Sequence, residues 1–231
     1  MSWEAAATLA ASGVQQSTPK LRFAQISDSH IGFHGPANPT VQRLREYLTV
    51  LRAIRDDRTA DFHGSQLTAV DPSVLPVALA EATSFLLYVA AMGPRAAGHR
   101  ELADGTLPAN AGPRTIEGFI APTITRAADD AGRSSPRIIA MVIVAVTGDV
   151  DAARASAATS LTLYDSIPSY QKVFAREGVS SAVDLAVIGP AETVTRRLKS
   201  YLDAGATDLA LVPLQTEPAE LRRLYEVAAA F

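Results

Sequence analysis

The chain has 231 residues, of which 48% are hydrophobic and 19% charged, and its net charge is −3. This composition can build a core and excludes an intrinsically disordered chain, while the mild acidity and the lack of any Lys/Arg run argue against a nucleic-acid surface. With no cysteine, disulfides, thiolate metal sites and a cysteine nucleophile are excluded.

The first forty residues differ in character from the rest. Residues 4–13 are alanine-rich and suit a short helix, residues 15–20 form a polar linker, and residues 21–26 alternate like a strand. Residues 27–39 are dense in Gly, Pro, His and Asn and read as loop. The opening Met1-Ser2-Trp3-Glu4 lacks the positive region of a signal peptide. The longest apolar runs, 85–92 and 138–146, fall well short of the ~20 residues that span a bilayer. A soluble cytoplasmic protein is the expectation. Residues 41–57 carry apolar side chains at 41, 44, 47, 48, 51 and 54, the spacing of an amphipathic helix. Residues 59–79, with prolines at 72 and 76, read as mostly irregular.

From Ser84 onward strands and helices alternate. Strands are expected at 85–92, 105–107, 138–146 and 207–213, and helices at 95–102, 115–131, 149–163, 169–177, 191–204 and 218–230. Asp149 and Asp151 place carboxylates in a first helical turn, and Gly205 follows Ala204 as a stop. Residues 138–146 hold no polar side chain, as expected of a strand covered on both faces. The alternation implies a parallel sheet of about four βα units, half of a (β/α)₈ barrel that usually needs ~250 residues. These strands should lie adjacent and in that order, with the 22–26 strand added at an exposed edge.

One short pattern occurs twice: an apolar strand-like run, then Gly-Pro-Arg, then a helix. The first copy is Ala90-Ala91-Met92-Gly93-Pro94-Arg95, and the second is Gly112-Pro113-Arg114. Proline suits the first helical position, where its missing N–H leaves nothing unpaired. Glycine lets backbone N–H groups approach a ligand, and arginine adds positive charge where the helix dipole already favours an anion. The pattern therefore reads either as a site for a phosphate-bearing cofactor or as a strand-to-helix turn with nothing bound.

The order and spacing of several segments resemble the luciferase-like oxidoreductases, especially those using the deazaflavin coenzyme F-420. They are Leu44-Arg45-Glu46-Tyr47-Leu48-Thr49-Val50-Leu51, Ala90 to Arg95, Glu101-Leu102-Ala103-Asp104-Gly105-Thr106, Gly112-Pro113-Arg114-Thr115-Ile116, Pro168-Ser169-Tyr170, Arg176-Glu177-Gly178 and Asp203-Ala204-Gly205-Ala206-Thr207-Asp208. The resemblance covers about residues 41–214, so the chain divides into a leader, 1–40, and a luciferase-like barrel half, 41–231. It implies a cofactor at the carboxyl mouth of the barrel, F-420 or alternatively flavin mononucleotide. The phosphate-bearing tail would lie near Ala90, Ala91, Met92, Gly93, Pro94 and Arg95 and near the Ala103-Asp104-Gly105 turn. The implied chemistry is hydride transfer between the deazaflavin and a small organic substrate, where the cofactor carries the reactivity and the protein supplies orientation. The family's first four strands have no counterpart ahead of Val41. The isolated chain is accordingly expected to be impaired in turnover, and to dimerise or aggregate through open strand edges.

Residues 18–39 resemble the opening of calcineurin-like metallophosphoesterases, whose strand ends in Asp-x-His as residues 21–26 do in Asp28-Ser29-His30. That family's later histidine motifs are missing, since no histidine follows His99, and no metal site is assigned. The alternatives to the oxidoreductase reading are a metal-dependent phosphoesterase fragment and a non-catalytic α/β fragment that self-associates. His34 with Asp28 and His30, and the lone His63 and His99, read as surface groups; Tyr164 and Tyr170 read as packing.

Overall fold

The computed structural model describes residues 23–25, 40–57, 59–70, 85–90 and 102–231. The sheet is parallel throughout. β1 (Phe23–Gln25) pairs with β4 (Leu86–Val89), β4 with β5 (Gly105–Thr106), and β5 with the start of β6 (Arg137–Val146). β8 (Asp208–Pro213) runs along β6 from Ile139 to Val144, and the short β7 (Val187–Gly189) pairs with Val144 to Val146. The backbone bonds show which edge each neighbour takes. Arg137, Met141 and Thr147 donate to Asp104, Pro108 and Gly189, whereas the carbonyls of Ile138 and Val144 accept from Thr207 and Leu214. Odd and even residues of a strand face opposite edges. β5 and β7 therefore share one edge of β6 while β8 takes the other. The four strands expected from sequence lie adjacent and in the expected order, with β1 added beside β4. This is an open segment of a (β/α) barrel rather than a closed one.

Helices cover one face. The even positions of β6, Ile138, Ala140, Val142, Val144 and Val146, are all buried, and they pack with Ile116, Ile120, Phe174, Val194 and Leu198 into a single core. α4 (Val150–Asp165) contributes Ala153, Ala157 and Leu161, one residue per turn of its inner face, and Asp149 caps it by accepting the Ala152 N–H at 3.1 Å. α5 (Pro168–Glu177) begins on proline and ends at Gly178, whose φ of 73° is left-handed. α6 (Ala191–Asp203) and α7 (Pro218–Ala228) complete the layer. Tyr164 and Tyr170 meet edge-on at 5.0 Å, the packing role read from sequence.

Four expectations are corrected. The helix expected at 115–131 starts earlier, at α2 (Pro113–Thr115), and reaches α3 (Ala121–Asp130) through a π turn at Ile116–Ile120. Pro122 has no N–H to give to the carbonyl four residues back, and the Ala121 N–H bonds Ile116 five residues back instead. The strand at 85–92 is described as Leu86–Val89, and the one at 105–107 as Gly105–Thr106, extended by a parallel bridge between Ala109 and Met141. β7 was not expected, because three residues carry no legible period. Within residues 59–79, read as mostly irregular, β2 (Asp61–His63) and β3 (Thr68–Val70) form an antiparallel hairpin that no strand was expected to make.

That hairpin is organised by a buried carboxylate. Glu46, on α1 (Thr40–Asp57), is only 3% exposed and accepts from Gln42 at 2.8 Å, Ser65 N–H at 3.0 Å, Ser65 Oγ at 2.9 Å, Gln66 N–H at 2.8 Å and Leu67 N–H at 2.8 Å. Burial alone would raise its pKa, but these donors together bring it down to about 2. His63 lies on the exposed side of the hairpin beside Asp61.

Candidate functional site at the carboxyl ends of the strands

In a parallel βα sheet the loops after the strands gather at one end, where ligands bind. Here β4 delivers the exposed Ala90 to that end, and its level is set by two bonds to the Val89 carbonyl, from Leu107 N–H at 3.1 Å and Thr106 Oγ1 at 2.8 Å. The β5 path continues past the Ala109–Met141 bridge into Asn110, which is 8% exposed and has a positive φ of 50°. β6 ends in Thr147-Gly148-Asp149, the cap of α4. Of the residues read from sequence as cofactor-binding, Ala90 lies at this end. Ala91, Met92, Gly93, Pro94 and Arg95 lie outside the described residues, as do Asp28, His30, His34 and His99.

Ala103, Asp104 and Gly105 stand at the opening of β5, with Gly105 paired to Tyr88 and Asp104 therefore level with Leu87. Their polar groups are engaged by the protein itself. The Asp104 carboxylate accepts from Arg55 at 2.7 Å, Leu87 N–H at 2.7 Å and Arg133 at 3.1 Å. Its N–H donates to Leu87, its carbonyl accepts from Arg137, and the Ala103 carbonyl accepts from Arg133 at 2.7 Å. A Cβ on Gly105 would strike the Arg137 backbone and the Tyr88 ring, so close strand approach requires glycine there. One strand over, Arg137 grips Asp208 with both nitrogens of its fork, joining the starts of β6 and β8.

The second Gly-Pro-Arg copy does build an anion site, and the anion is part of the chain. Pro113 opens α2, the Thr115 N–H donates to Glu177 Oε1 at 2.6 Å, and Arg114 donates to the Glu177 carbonyl at 3.1 Å. Glu177 is 9% exposed, and a Cβ on Gly112 would collide with its carboxylate. The positive end of α2 is thus satisfied by the last residue of α5 rather than by a ligand phosphate. Nothing in the spacing of 112–114 and 177 foretold this partner, 62 residues away.

Two other features were not anticipated. A cavity of about 590 Å³ opens beyond β6 and β7, between Val146, Thr147, Gly148, Ala191 and Arg223, with Arg223 Nε on the Val146 carbonyl at 3.1 Å. Its sequence signal was Gly189-Pro190 ahead of α6, a third strand–Gly-Pro–helix junction. The face of β6 away from the helices is the other feature. Ile139, Met141 and Ile143 there are only half-buried; Met141 pairs with Ala210, and Ile143 with Val212, which is 38% exposed. An apolar strip of the inner barrel face is left partly open.

The fold is that of a barrel-type α/β protein whose βα loops gather at the carboxyl ends of the strands. A family model described as luciferase-like monooxygenase matches residues 22–208, and the chain belongs to that family. The match begins within residues 18–39 and includes β1, and nothing supports a metallophosphoesterase there. No curated protein sequence matches the chain. Among solved structures it is similar to an F420-dependent secondary alcohol dehydrogenase in complex with an F420-acetone adduct (TM-score 0.67, 17% identity, covering 86% of this chain and 64% of that one). It is also similar to the coenzyme F420-dependent tetrahydromethanopterin reductase from Methanopyrus kandleri (TM-score 0.63, 20% identity, 82% and 61% covered). A third likeness is to EDTA monooxygenase from a Chelativorans species (TM-score 0.57, 11% identity, 85% and 61% covered). The chain spans under two thirds of the length of each. Among the described residues no helix is long and apolar enough to cross a membrane, and no group of three or more His, Asp or Glu could hold a metal ion.

Proposed function

We propose that the chain is an oxidoreductase that binds the deazaflavin coenzyme F-420 at the carboxyl ends of its strands and serves hydride transfer with a small organic substrate. The observation that carries this reading is the half-open apolar strip Ile139, Met141, Ile143, Ala210 and Val212. In a family that works with flat, tricyclic cofactors, it offers a ring a water-poor face beside the strand ends. When bound, such a cofactor would supply the hydride chemistry. The chain's own part is to hold and orient it and to exclude water. Ala90, Ala91, Met92, Gly93, Pro94 and Arg95 are the residues proposed to meet its phosphate. Ala103, Asp104 and Gly105, whose polar groups are already engaged, brace β4 against β5 so that Ala90 emerges at the mouth. Flavin mononucleotide is the alternative, because its phosphate would suit the same Gly-Pro-Arg turn.

Fluorescence titration with each cofactor tests this. Removing one charge-assisted contact of about 1.5–3 kcal/mol with Arg95→Ala is expected to weaken F-420 binding roughly tenfold to over a hundredfold. Unchanged affinity would remove Arg95 from the phosphate site, and no binding of either cofactor would end the reading.

A further inference from the structure

We propose that the cavity beyond β6 and β7 is a binding site for a small carboxylate with an apolar body, held by the Arg223 guanidinium. The cavity measures about 590 Å³, within the range of small-molecule sites. It lies across the sheet from the apolar strip of the inner barrel face. Val146, which lines it, is one of the even positions of β6 that face the helices, whereas Ile139, Met141 and Ile143 alternate to the other face. The site is therefore separate from the cofactor face proposed above and does not depend on that reading. Its walls are mainly apolar: Val146, Pro190, Ala191, Val227 and Ala230. Gly148, just past the end of β6, also lines it, and a Cβ built there would meet nothing within 4 Å.

Arg223 is the cation of this cavity, and it is held in place. It rises from α7, whose Leu224 and Val227 are buried, and its Nε donates to the Val146 carbonyl at 3.1 Å. The rest of the fork is unspent. Its Nη2 stands 4.0 Å from Glu220, beyond hydrogen-bond reach, and no described acceptor takes Nη1. By contrast, Arg55, Arg133, Arg137 and Arg154 each hydrogen-bond a carboxylate of the chain. Two adjacent N–H groups on a planar fork match the two oxygens of a carboxylate. Glu192 and Glu226 also line the cavity, and the Glu192 side chain is 93% exposed, at the rim. Their charges tolerate a monoanion paired with Arg223 and oppose a phosphate dianion.

A ¹⁹F NMR titration of the full chain with 4-fluorobenzoate tests this, with 4-fluorobenzamide as the uncharged counterpart and inorganic phosphate as competitor. Saturable binding of the benzoate is expected, with the benzamide about tenfold or more weaker. Phosphate at equal concentration should not displace the benzoate. Arg223→Gln should weaken benzoate binding about tenfold. That variant also removes the clamp on the Val146 carbonyl, so a second one leaves the clamp in place. Gly148→Leu puts a side chain into open space, and it should keep the melting temperature while abolishing benzoate binding. Absence of saturable benzoate binding, equal affinity for benzoate and benzamide, displacement by phosphate, or full benzoate affinity in either variant overturns the proposal. None of these outcomes bears on F-420 binding, which the Arg95→Ala titration reads separately.

Discussion

At the scale of single residues, this chain fills its own anion sites. Glu177 takes the positive end of α2, Glu46 takes the turn between β2 and β3, and Asp104 takes the Leu87 N–H with two arginines. Two of these carboxylates are admitted by a glycine that stays out of their way: Gly112 for Glu177, and Gly64, where a Cβ would strike the Glu46 carboxylate. Gly112→Ala is therefore expected to destabilise by about 1–3 kcal/mol in urea denaturation through overpacking. In the double variant with Glu177→Ala the clash is gone, so the two effects should fall short of additive by about 1 kcal/mol or more. Full additivity would mean that the carboxylate does not sit against Gly112. Asp104→Ala leaves the Arg55 guanidinium and the Leu87 N–H without their shared acceptor, and a loss of about 2–4 kcal/mol is expected in the same assay.

At the scale of elements, the hairpin and α1 form a unit joined through one titrating group. The five donors outweigh burial and hold Glu46 at about 2 in the folded chain, below the usual carboxylate range. A depressed folded-state pKa stabilises above the unfolded pKa and loses that stabilisation as pH falls through the folded one. The β2–β3 hairpin should therefore loosen from α1 as pH drops from about 4.5 towards 2. Amide hydrogen exchange at Ser65, Gln66 and Leu67 reads this directly, and Glu46→Gln should abolish the pH dependence. Flat protection factors in wild type across that range would exclude the carboxylate as the fastener. For α4 the device is an ordinary cap, and Asp149→Ala should cost about 1 kcal/mol.

At the scale of the whole molecule, the sheet has one face under helices and one partly open. In β8 the backbone groups of Asp208, Ala210 and Val212 point away from β6, and no described strand pairs with them. Such an edge, carrying the exposed Val212, is a template for association. The molar mass by light scattering is expected to rise with concentration, and Val212→Lys, which puts a charge on the open edge strand, should shift the population towards monomer. A concentration-independent mass in wild type would show that this edge is covered.

How much was legible in the sequence follows from which forces are local. The helix at 191–203 and the strand at 137–146 were readable because period and apolar content are properties of consecutive residues. The parallel order of β4, β5, β6 and β8 followed from the strand–helix alternation, which leaves few topologies. The Gly-Pro-Arg turn was likewise recognisable as a helix start with positive character. What filled it was not, because Glu177 reaches Thr115 from a helix 62 residues away and no spacing rule connects them. The hairpin at 61–70 escaped for the same reason: three-residue strands are too short to show a period, and their organiser, Glu46, sits on α1. Asp104 read as a cofactor neighbour and turned out to be held by Arg55, Arg133 and Leu87. The sequence by itself determined the elements, their order and the family, since these rest on local periodicity and on matched segments. Only the tertiary structure decided which polar groups were already spent on the chain, because hydrogen-bond saturation belongs to groups brought together from distant parts of the chain.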